Sequence, residues 1–267
     1  MRNCLDRQRA DFQGALPVSA SVRKDRLRRA IATGKMLNAG QICLAPDYML
    51  VPEDRIDEAA EGLRRTAAAM YPRLIDNPDY GAVINGCHHG RLAAHLDDAR
   101  AKGARLVEVN PAGDDFAAAN TRKLPLTLVL DPADRMRVMQ EEIFEPILPI
   151  RPYRRIEEAI AYVNRRDRPF GLYYFGTDHA EERLVLDRTI SGGVTVKDVL
   201  FNVSREDLPF GGIGASGMDH YHGQDGFRTF THAGAVYRQP KLDIAALAGL
   251  KPPYGAALRR NVAREFR

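Results

Sequence analysis

The chain has 267 residues, of which 45% are hydrophobic and 28% are charged, and its formal net charge is +4. This composition supplies enough apolar sequence for a globular core, while no apolar run is long enough to cross a bilayer. The charged first residues do not resemble an export signal, so we expect a cytoplasmic protein with no membrane partner.

The surplus of basic residues raises the alternative of nucleic-acid binding. Basic side chains cluster in residues 23–29 and 259–267, but acidic or apolar residues at helical spacing interrupt both clusters. No zinc-finger, KH or RNP-type motif accompanies them. We therefore interpret them as solvated helix faces and expect no nucleic-acid partner.

The first part of the chain predicts an N-terminal helical arm over residues 1–32. Two polar segments with helical spacing, Leu5–Phe12 and Ser21–Ile31, are separated by the breaker-rich residues 14–20.

From residue 47 onward, short apolar runs alternate with segments of helical period, which is typical of βα units. The predicted strands are Tyr48–Val51, Leu106–Val109, Leu126–Leu130, Ile147–Pro152, Leu172–Gly176 and Gly193–Lys197. The predicted helices cover 54–70, 88–102, 156–164 and 179–188. The pattern predicts an α/β fold for residues 33–230, with a layered, mostly parallel sheet and helices on both faces.

Residues 231–267 predict a C-terminal strand and tail used in oligomerisation. The strand-like run Ala235–Tyr237 could add to the sheet edge of a partner chain, and the glycines and prolines after Pro240 favour an irregular tail.

Cys43 is the first candidate for chemistry. It ends the small-residue segment 38–43 and shortly precedes a predicted strand, so a turn could present its thiol at a strand edge. The bare sequence leaves two interpretations open: a nucleophile, or a small buried side chain.

Three separated segments stand out: GKMLNAGQICLAPDY at 34–48, EEIF at 141–144 and LPFGGIGASGM at 208–218. Together they resemble the aldehyde dehydrogenase superfamily. The runs Leu172–Phe175 and Tyr221–Gly223 look most like its coniferyl aldehyde dehydrogenase and fatty or aromatic aldehyde branch. The resemblance implies NAD(P)-dependent oxidation of an aldehyde, possible substrates being coniferyl and other aromatic or apolar aldehydes, to the carboxylic acid.

The resemblance also implies roles for four residues. Cys43 would be the nucleophile that carries the thiohemiacetal and thioester, and its backbone N–H an oxyanion donor. Glu142 would bind the nicotinamide ribose, Phe144 would pack beside the nicotinamide, and Phe210 would line the aldehyde pocket. Without the resemblance, the preferred interpretation is a solvated carboxylate for Glu142 and core-filling rings for Phe144 and Phe210.

The chain departs from the family pattern in what it lacks. The segments with the activating glutamate, the oxyanion asparagine and the cofactor's glycine-rich turn and lysine are missing. Their absence predicts a loss of roughly two hundred residues, the size of a domain, between Ile31 and Gly34, which makes residues 1–32 a remnant of the cofactor-binding domain. Glu145 also stands where the motif normally has glycine.

Three functions therefore stay open. The chain could oxidise an aldehyde, it could be a non-catalytic subunit that associates with itself or with a full-length relative, or it could be a cofactor-independent thiol esterase.

Two other patterns are weaker. Residues 212–217 match the G-x-G-x-x-G pattern, but they lack the flanking strand and helix of a dinucleotide fingerprint. His88, His89 and His95 lack the spacing of zinc ligands, so we interpret them as helix-surface residues and expect no metal.

Overall fold

The computed structural model describes residues 14–20 and 24–265 of the chain. These residues divide at Thr229 and Phe230 into a larger and a smaller unit.

The larger unit is built on a seven-stranded sheet. Its strands in chain order are β1 (Gly14–Pro17), β2 (Pro46–Pro52), β3 (Arg105–Val109), β4 (Leu126–Leu130), β5 (Ile147–Tyr153), β6 (Gly171–Tyr174) and β7 (Gly193–Val196). In space the order is β3-β4-β5-β2-β1-β6-β7, and every neighbouring pair is parallel except β3 with β4. The predicted mostly parallel sheet is confirmed.

Helices cover both faces of this sheet, as predicted. They are α1 (Lys24–Met36), α2 (Ile56–Met70), α3 (Gly86–Ala101), α4 (Ile156–Asn164) and α5 (His179–Arg188). Alternate side chains of a strand point to opposite faces, so β2 contributes Met49 and Val51 to one apolar core and Leu50 to the other. The first core includes residues of α1 and α2, and the second includes residues of α3, α4 and α5.

The segment between the two predicted N-terminal helices is a strand. Gly14–Pro17 is β1, which lies between β2 and β6 inside the sheet, and all four residues are buried. The prediction treated these residues as a linker because they contain glycine and proline. The parallel pairing of β1 with both neighbours outweighs those local signals.

The helix predicted at Ser21–Ile31 is confirmed from Lys24 onward, where α1 begins. The helix predicted at Leu5–Phe12 lies outside the described residues. The boundary placed at residue 32 falls inside α1. Ile31 and Met36 pack into one core, and a Cβ on Gly34 would lie 2.5 Å from Cγ2 of Val199. Ile31 and Gly34, the residues on either side of the expected loss, thus lie in one continuous, tightly packed helix.

Two short strands and a helix complete the larger unit. Strands β8 (Phe210–Gly211) and β9 (His220–Tyr221) pair antiparallel, and α6 (Gly223–Thr229) follows. The G-x-G-x-x-G residues form the tight turn between β8 and β9, where a Cβ on Gly212 would lie 1.9 Å from the carbonyl oxygen of Ser216. This turn leads into a strand, so it lacks the helix of a dinucleotide fingerprint.

The smaller unit contains α7 (Ile244–Leu247) and α8 (Ala256–Glu265). Asp243 caps α7 through the N–H of Ala246, and Asn261 donates to the carbonyl of Ala248. The strand predicted at Ala235–Tyr237 is not formed: residues 233–240 have no regular structure, and Val236 and Tyr237 are 83% and 79% exposed. A single extended segment has no partner for its backbone groups, so strand propensity alone does not produce a strand.

Candidate active site

Cys43 lies in the turn that joins α1 to β2, and it is a free, exposed thiol. The turn begins with three successive residues in the left-handed region: Asn38, Ala39 and Gly40 have φ angles of 50°, 55° and 76°. Glycine and asparagine tolerate this region, but Ala39 pays a steric cost there of about 1–2 kcal/mol. Such strain persists only where surrounding contacts impose it.

Gln41 supplies many of those contacts. Its Nε2 donates to the carbonyls of Asn38 and Ala82 at 3.0 Å each, and its Oε1 accepts from the N–H of Ile84 at 3.0 Å. The amide of Asn38 donates to the carbonyl of Gln41 at 3.1 Å. The side chain of Gln41 therefore ties the turn before Cys43 to the segment that leads into α3.

Two backbone donors act on the Cys43 thiol. Although the side chain is accessible, nearby protein atoms displace water and raise its pKa above the usual 9.0, and the charge of Glu142 adds to this rise. Hydrogen bonding from the backbone N–H groups of Cys43 and Leu44 opposes it. The thiol is thus mostly protonated near neutral pH, and it sits beside N–H groups that favour negative charge.

The segment Glu141–Glu145 packs against this turn. Glu142 and Phe144 are half-buried, Glu145 is buried, and Phe144 has a φ of 57°. Asp47 accepts the N–H of Ile143 at 3.0 Å, so β2, which follows Cys43, also holds this segment.

Arg91 of α3 holds the same segment from a second side. Its guanidinium donates to the carbonyls of Glu142 and Ile143 at 2.8 and 2.6 Å and to the carboxylate of Glu145 at 2.6 Å. Both ionic side chains are nearly inaccessible, at 6% for Arg91 and 1% for Glu145.

Charged groups concentrate around these contacts. Burial raises the pKa of Glu142 and of Glu145 to about 7, against the opposing effect of Lys35 and Arg91. Burial also raises the pKa of Asp47 and lowers that of Lys35. The Nζ of Lys35 has no hydrogen-bond partner among the described residues, and its attraction to these carboxylates is therefore mainly through charge.

The interpretation of the α3 histidines as surface residues is wrong for His95. Its side chain is 1% exposed, and its Nε2 lies 3.1 Å from Oε2 of Glu141. Burial, followed by the charge of Arg91, lowers its pKa. His95 thus joins α3 to the residue that begins the 141–145 segment.

Phe210 lies in a cluster of aromatic rings. Its ring centroid is 5.1 Å from that of Phe170, 5.3 Å from that of Tyr221 and 5.6 Å from that of His222. The cluster approaches the cysteine turn through Gly171, where a Cβ would lie 3.2 Å from Cδ2 of Leu44. The hydroxyl of Tyr173 also donates to the carbonyl of Leu44 at 2.6 Å.

The structure thus brings Cys43 and the Glu142–Phe144 segment into one region, and it links Phe210 to that region through Phe170 and Gly171. Sequence reasoning missed Arg91, Lys35 and Asp47. Lys35 and Asp47 lie within the 34–48 segment and could have been noticed there as charges beside buried positions. Arg91 carried no such signal, because it stands in a helix with many other charged residues.

Comparison with known proteins identifies the family of the chain. The sequence profile of the aldehyde dehydrogenase family matches residues 13–236. A protein of Caulobacter vibrioides named "Probable coniferyl aldehyde dehydrogenase" is 52% identical over 259 residues, covering 96% of this chain and 53% of the relative.

Two solved structures share the fold. Staphylococcus aureus AldH in a substrate-bound state has a TM-score of 0.78 and 33% identity, covering 96% of this chain and 54% of that one. A Mycobacterium tuberculosis aldehyde dehydrogenase complexed with NAD+ has a TM-score of 0.73 and 25% identity, covering 83% of this chain and 45% of that one.

The chain spans about half the length of these curated and structural relatives. That coverage agrees with the expectation that part of the family's usual length is missing here. The family profile matches most of the chain, and the matched residues include the sheet, the cysteine turn and the Glu141–Glu145 segment. The chain therefore belongs to the aldehyde dehydrogenase family.

Proposed function

We propose that this chain supplies the nucleophile and the nicotinamide-facing residues for NAD(P)-dependent oxidation of an aldehyde to a carboxylic acid. The observation that carries the proposal is the placement of the free Cys43 thiol: it lies on a strained turn with two backbone N–H groups beside it and the Glu142–Phe144 segment packed nearby.

Cys43 performs the bond-forming step. Its thiolate adds to the aldehyde carbonyl carbon, a C–S bond forms, and the carbonyl oxygen gains negative charge. A backbone N–H donates to that oxygen and stabilises its negative charge. The raised pKa of Cys43 means that a base must remove the thiol proton before the thiolate can attack.

The residues present fit the nicotinamide end of the cofactor. The half-buried Glu142 offers a carboxylate to ribose hydroxyls, and the half-buried Phe144 offers a ring to pack beside the nicotinamide. When bound, the nicotinamide supplies a hydride acceptor, which allows the thiohemiacetal on Cys43 to become a thioester. The adenosine end finds neither the glycine-rich turn nor the lysine that the family uses, so tight binding requires further residues from another chain or segment.

The aldehyde we favour is aromatic. The Caulobacter vibrioides relative is named as a probable coniferyl aldehyde dehydrogenase. In this chain the rings of Phe170, Phe210 and Tyr221 form an apolar, edge-to-face cluster linked to the cysteine turn. An aromatic substrate ring would gain area burial and quadrupole contacts from such a wall.

Association with a second chain belongs to the same proposal, as a homo-oligomer or with a full-length relative. Apolar side chains of the smaller unit support it, because Phe230, Val236 and Tyr237 are 79–88% exposed. Exposed apolar side chains of this kind are typical of surfaces that bind another protein chain.

A cofactor-independent thiol esterase is the second candidate. It is supported by the same thiol and N–H groups, since these lie wholly within this chain and need no cofactor.

The proposal is tested by following NADH or NADPH formation from coniferyl aldehyde with the wild-type chain and Cys43→Ser, alone and mixed with an intact relative that carries an inactivated cysteine. We expect nicotinamide reduction that depends on Cys43. Ester cleavage without nicotinamide reduction would instead favour the esterase, and a mixed oligomer with neither activity would favour a non-catalytic subunit.

A further inference from the structure

We propose that Arg91, with Glu145 as its ionic partner, is the positioning residue that holds Glu142 and Phe144 in place relative to Cys43. This inference rests on the proposed function, and it assigns a role to the α3 helix that the motifs of the family did not indicate.

The geometry of the guanidinium carries the proposal. Nη1 donates to the carbonyl of Glu142, and Nη2 donates to the carbonyl of Ile143 and to Oε2 of Glu145. One planar group thus fixes two consecutive peptide units and a side chain within the segment. These peptide units lie on either side of Ile143, so fixing them sets the positions from which the side chains of Glu142 and Phe144 project.

Arg91 and Glu145, which we call the clamp, hold the segment from one side, and Asp47 holds it from another. Asp47 accepts the N–H of Ile143, whereas Arg91 donates to the carbonyl of Glu142, in the same peptide unit, and to the carbonyl of Ile143 itself. The segment is held between a carboxylate of β2 and a cation of α3. This opposition explains how Phe144 remains at a φ of 57°, a conformation that is costly for an aromatic residue.

Glu145 makes the arginine suitable for this buried position. A buried guanidinium without a carboxylate would carry an uncompensated charge, and the pair is nearly inaccessible on both sides. The Oε1 of Glu145 lies 3.6 Å from Nδ1 of His88, one turn earlier on α3. The residue that departs from the family's glycine is therefore part of the clamp.

The same contacts set the charge near the thiol. Glu142 is faced by Asp47 of β2, Lys35 of α1, Arg91 of α3 and Glu145 of its own segment. Glu145 is faced by Arg91, Lys35, Asp47 and His88. The charge of Glu142 contributes to the raised pKa of Cys43, so a displacement of the segment would change that pKa.

The test measures whether Glu142 still acts on Cys43 after the clamp is removed. The pH dependence of Cys43 alkylation by iodoacetamide, followed by peptide mass, is compared for four proteins: the wild-type chain, Glu142→Gln, Arg91→Met and the double variant. In the wild-type background, Glu142→Gln should lower the pKa of Cys43 by about half a pH unit, because a nearby negative charge is removed. In the Arg91→Met background, the same substitution should leave that pKa unchanged.

Arg100→Met is the matched control. Arg100 is on the same helix and its side chain is 64% exposed. Within the part of the chain that the structure describes, its one ion pair is with Asp97, three residues earlier. Glu142→Gln should shift the pKa of Cys43 as much in the Arg100→Met background as in the wild-type background.

Two outcomes overturn the proposal: an equal shift with and without Arg91, or no shift on Glu142→Gln in the wild-type background. If Arg91→Met fails to fold, Arg91→Lys keeps the charge but cannot fork between the two carbonyls, and it should reduce the shift by about half; a full shift in that variant would contradict the need for the fork. Alkylation needs neither aldehyde nor cofactor. A chain that keeps this coupling but forms no NADH, either alone or mixed with the relative whose cysteine is inactivated, would therefore refute the proposed function and leave the positioning role intact.

Discussion

Gly40 and Glu145 meet backbone to backbone. A Cβ on Gly40 would lie 3.0 Å from both the carbonyl carbon and the carbonyl oxygen of Glu145, and also 3.0 Å from the carbonyl oxygen of Lys35. Two segments separated by about a hundred positions in sequence thus approach as closely as a glycine allows. This approach places the Cys43 turn beside the segment that carries Glu142.

Gly40→Ala should disrupt that approach. The substitution forces a methyl group against the Glu145 peptide and places alanine at a φ of 76°, so we expect a loss of about 1–3 kcal/mol in the free energy of unfolding. Urea denaturation measures it. Gly90→Ala is the matched control, because a Cβ there meets nothing within 4 Å in the interior of α3 and should leave stability equal or raise it by up to about 1 kcal/mol. Equal effects of the two substitutions would contradict the close approach.

Gln41→Ala should loosen the cysteine turn. It removes the amide that bonds the carbonyls of Asn38 and Ala82 and the N–H of Ile84, so we expect a destabilisation of about 1–3 kcal/mol and faster hydrogen exchange at Ile84. Hydrogen exchange with mass spectrometry measures the second effect. Gln140→Ala, at an exposed position, serves as the control and should change neither quantity by more than a few tenths. Unaltered exchange at Ile84 in Gln41→Ala would count against the role of this side chain.

Stability should fall as pH rises through the range set by Glu145. The pKa of this carboxyl is about 7 in the folded chain and ordinarily 4.5, so between these values the folded state holds a proton that the unfolded state has released. Stability is then greatest below the lower value and decreases toward the upper one, by up to about 3 kcal/mol for this group.

Glu145→Gln separates this contribution from those of other groups. The amide cannot ionise but still offers an oxygen to Arg91, so the free energy of unfolding should fall less between pH 5 and 8 than it does in the wild-type chain. Glu142 retains its own raised pKa and leaves part of the slope. Urea titrations at several pH values give both slopes, and identical slopes would show that Glu145 does not hold a proton in the folded state.

The sequence predicted the sheet from β2 onward well, because those strands are apolar runs bounded by helices of clear period. It did not predict β1. The four residues Gly14–Pro17 contain two turn formers, and their strand exists only because β2 and β6 are present on both sides. The strand expected at Ala235–Tyr237 is the opposite case: its local propensity is favourable, but none of the described strands pairs with it.

The site also contains residues that the sequence predicted and residues that it did not predict. Cys43, Glu142 and Phe144 stand in recognisable segments, so the sequence identified them as candidates, and the structure places those segments together. Arg91 and His95 could not be selected, because their significance depends on tertiary contacts with Glu145 and Glu141. These contacts form only when α3 packs on its face of the sheet.

Trapping the covalent intermediate tests the central claim most directly. The chain is incubated with coniferyl aldehyde and NAD+ or NADP+, with an inactivated full-length relative supplied where cofactor binding requires it, quenched in acid and digested. The account predicts an acyl group on the peptide that contains Cys43, formed only when cofactor is present and absent from Cys43→Ser. A folded chain whose Cys43 reacts with iodoacetamide but never carries that acyl group would contradict the assignment of this cysteine as the nucleophile of aldehyde oxidation.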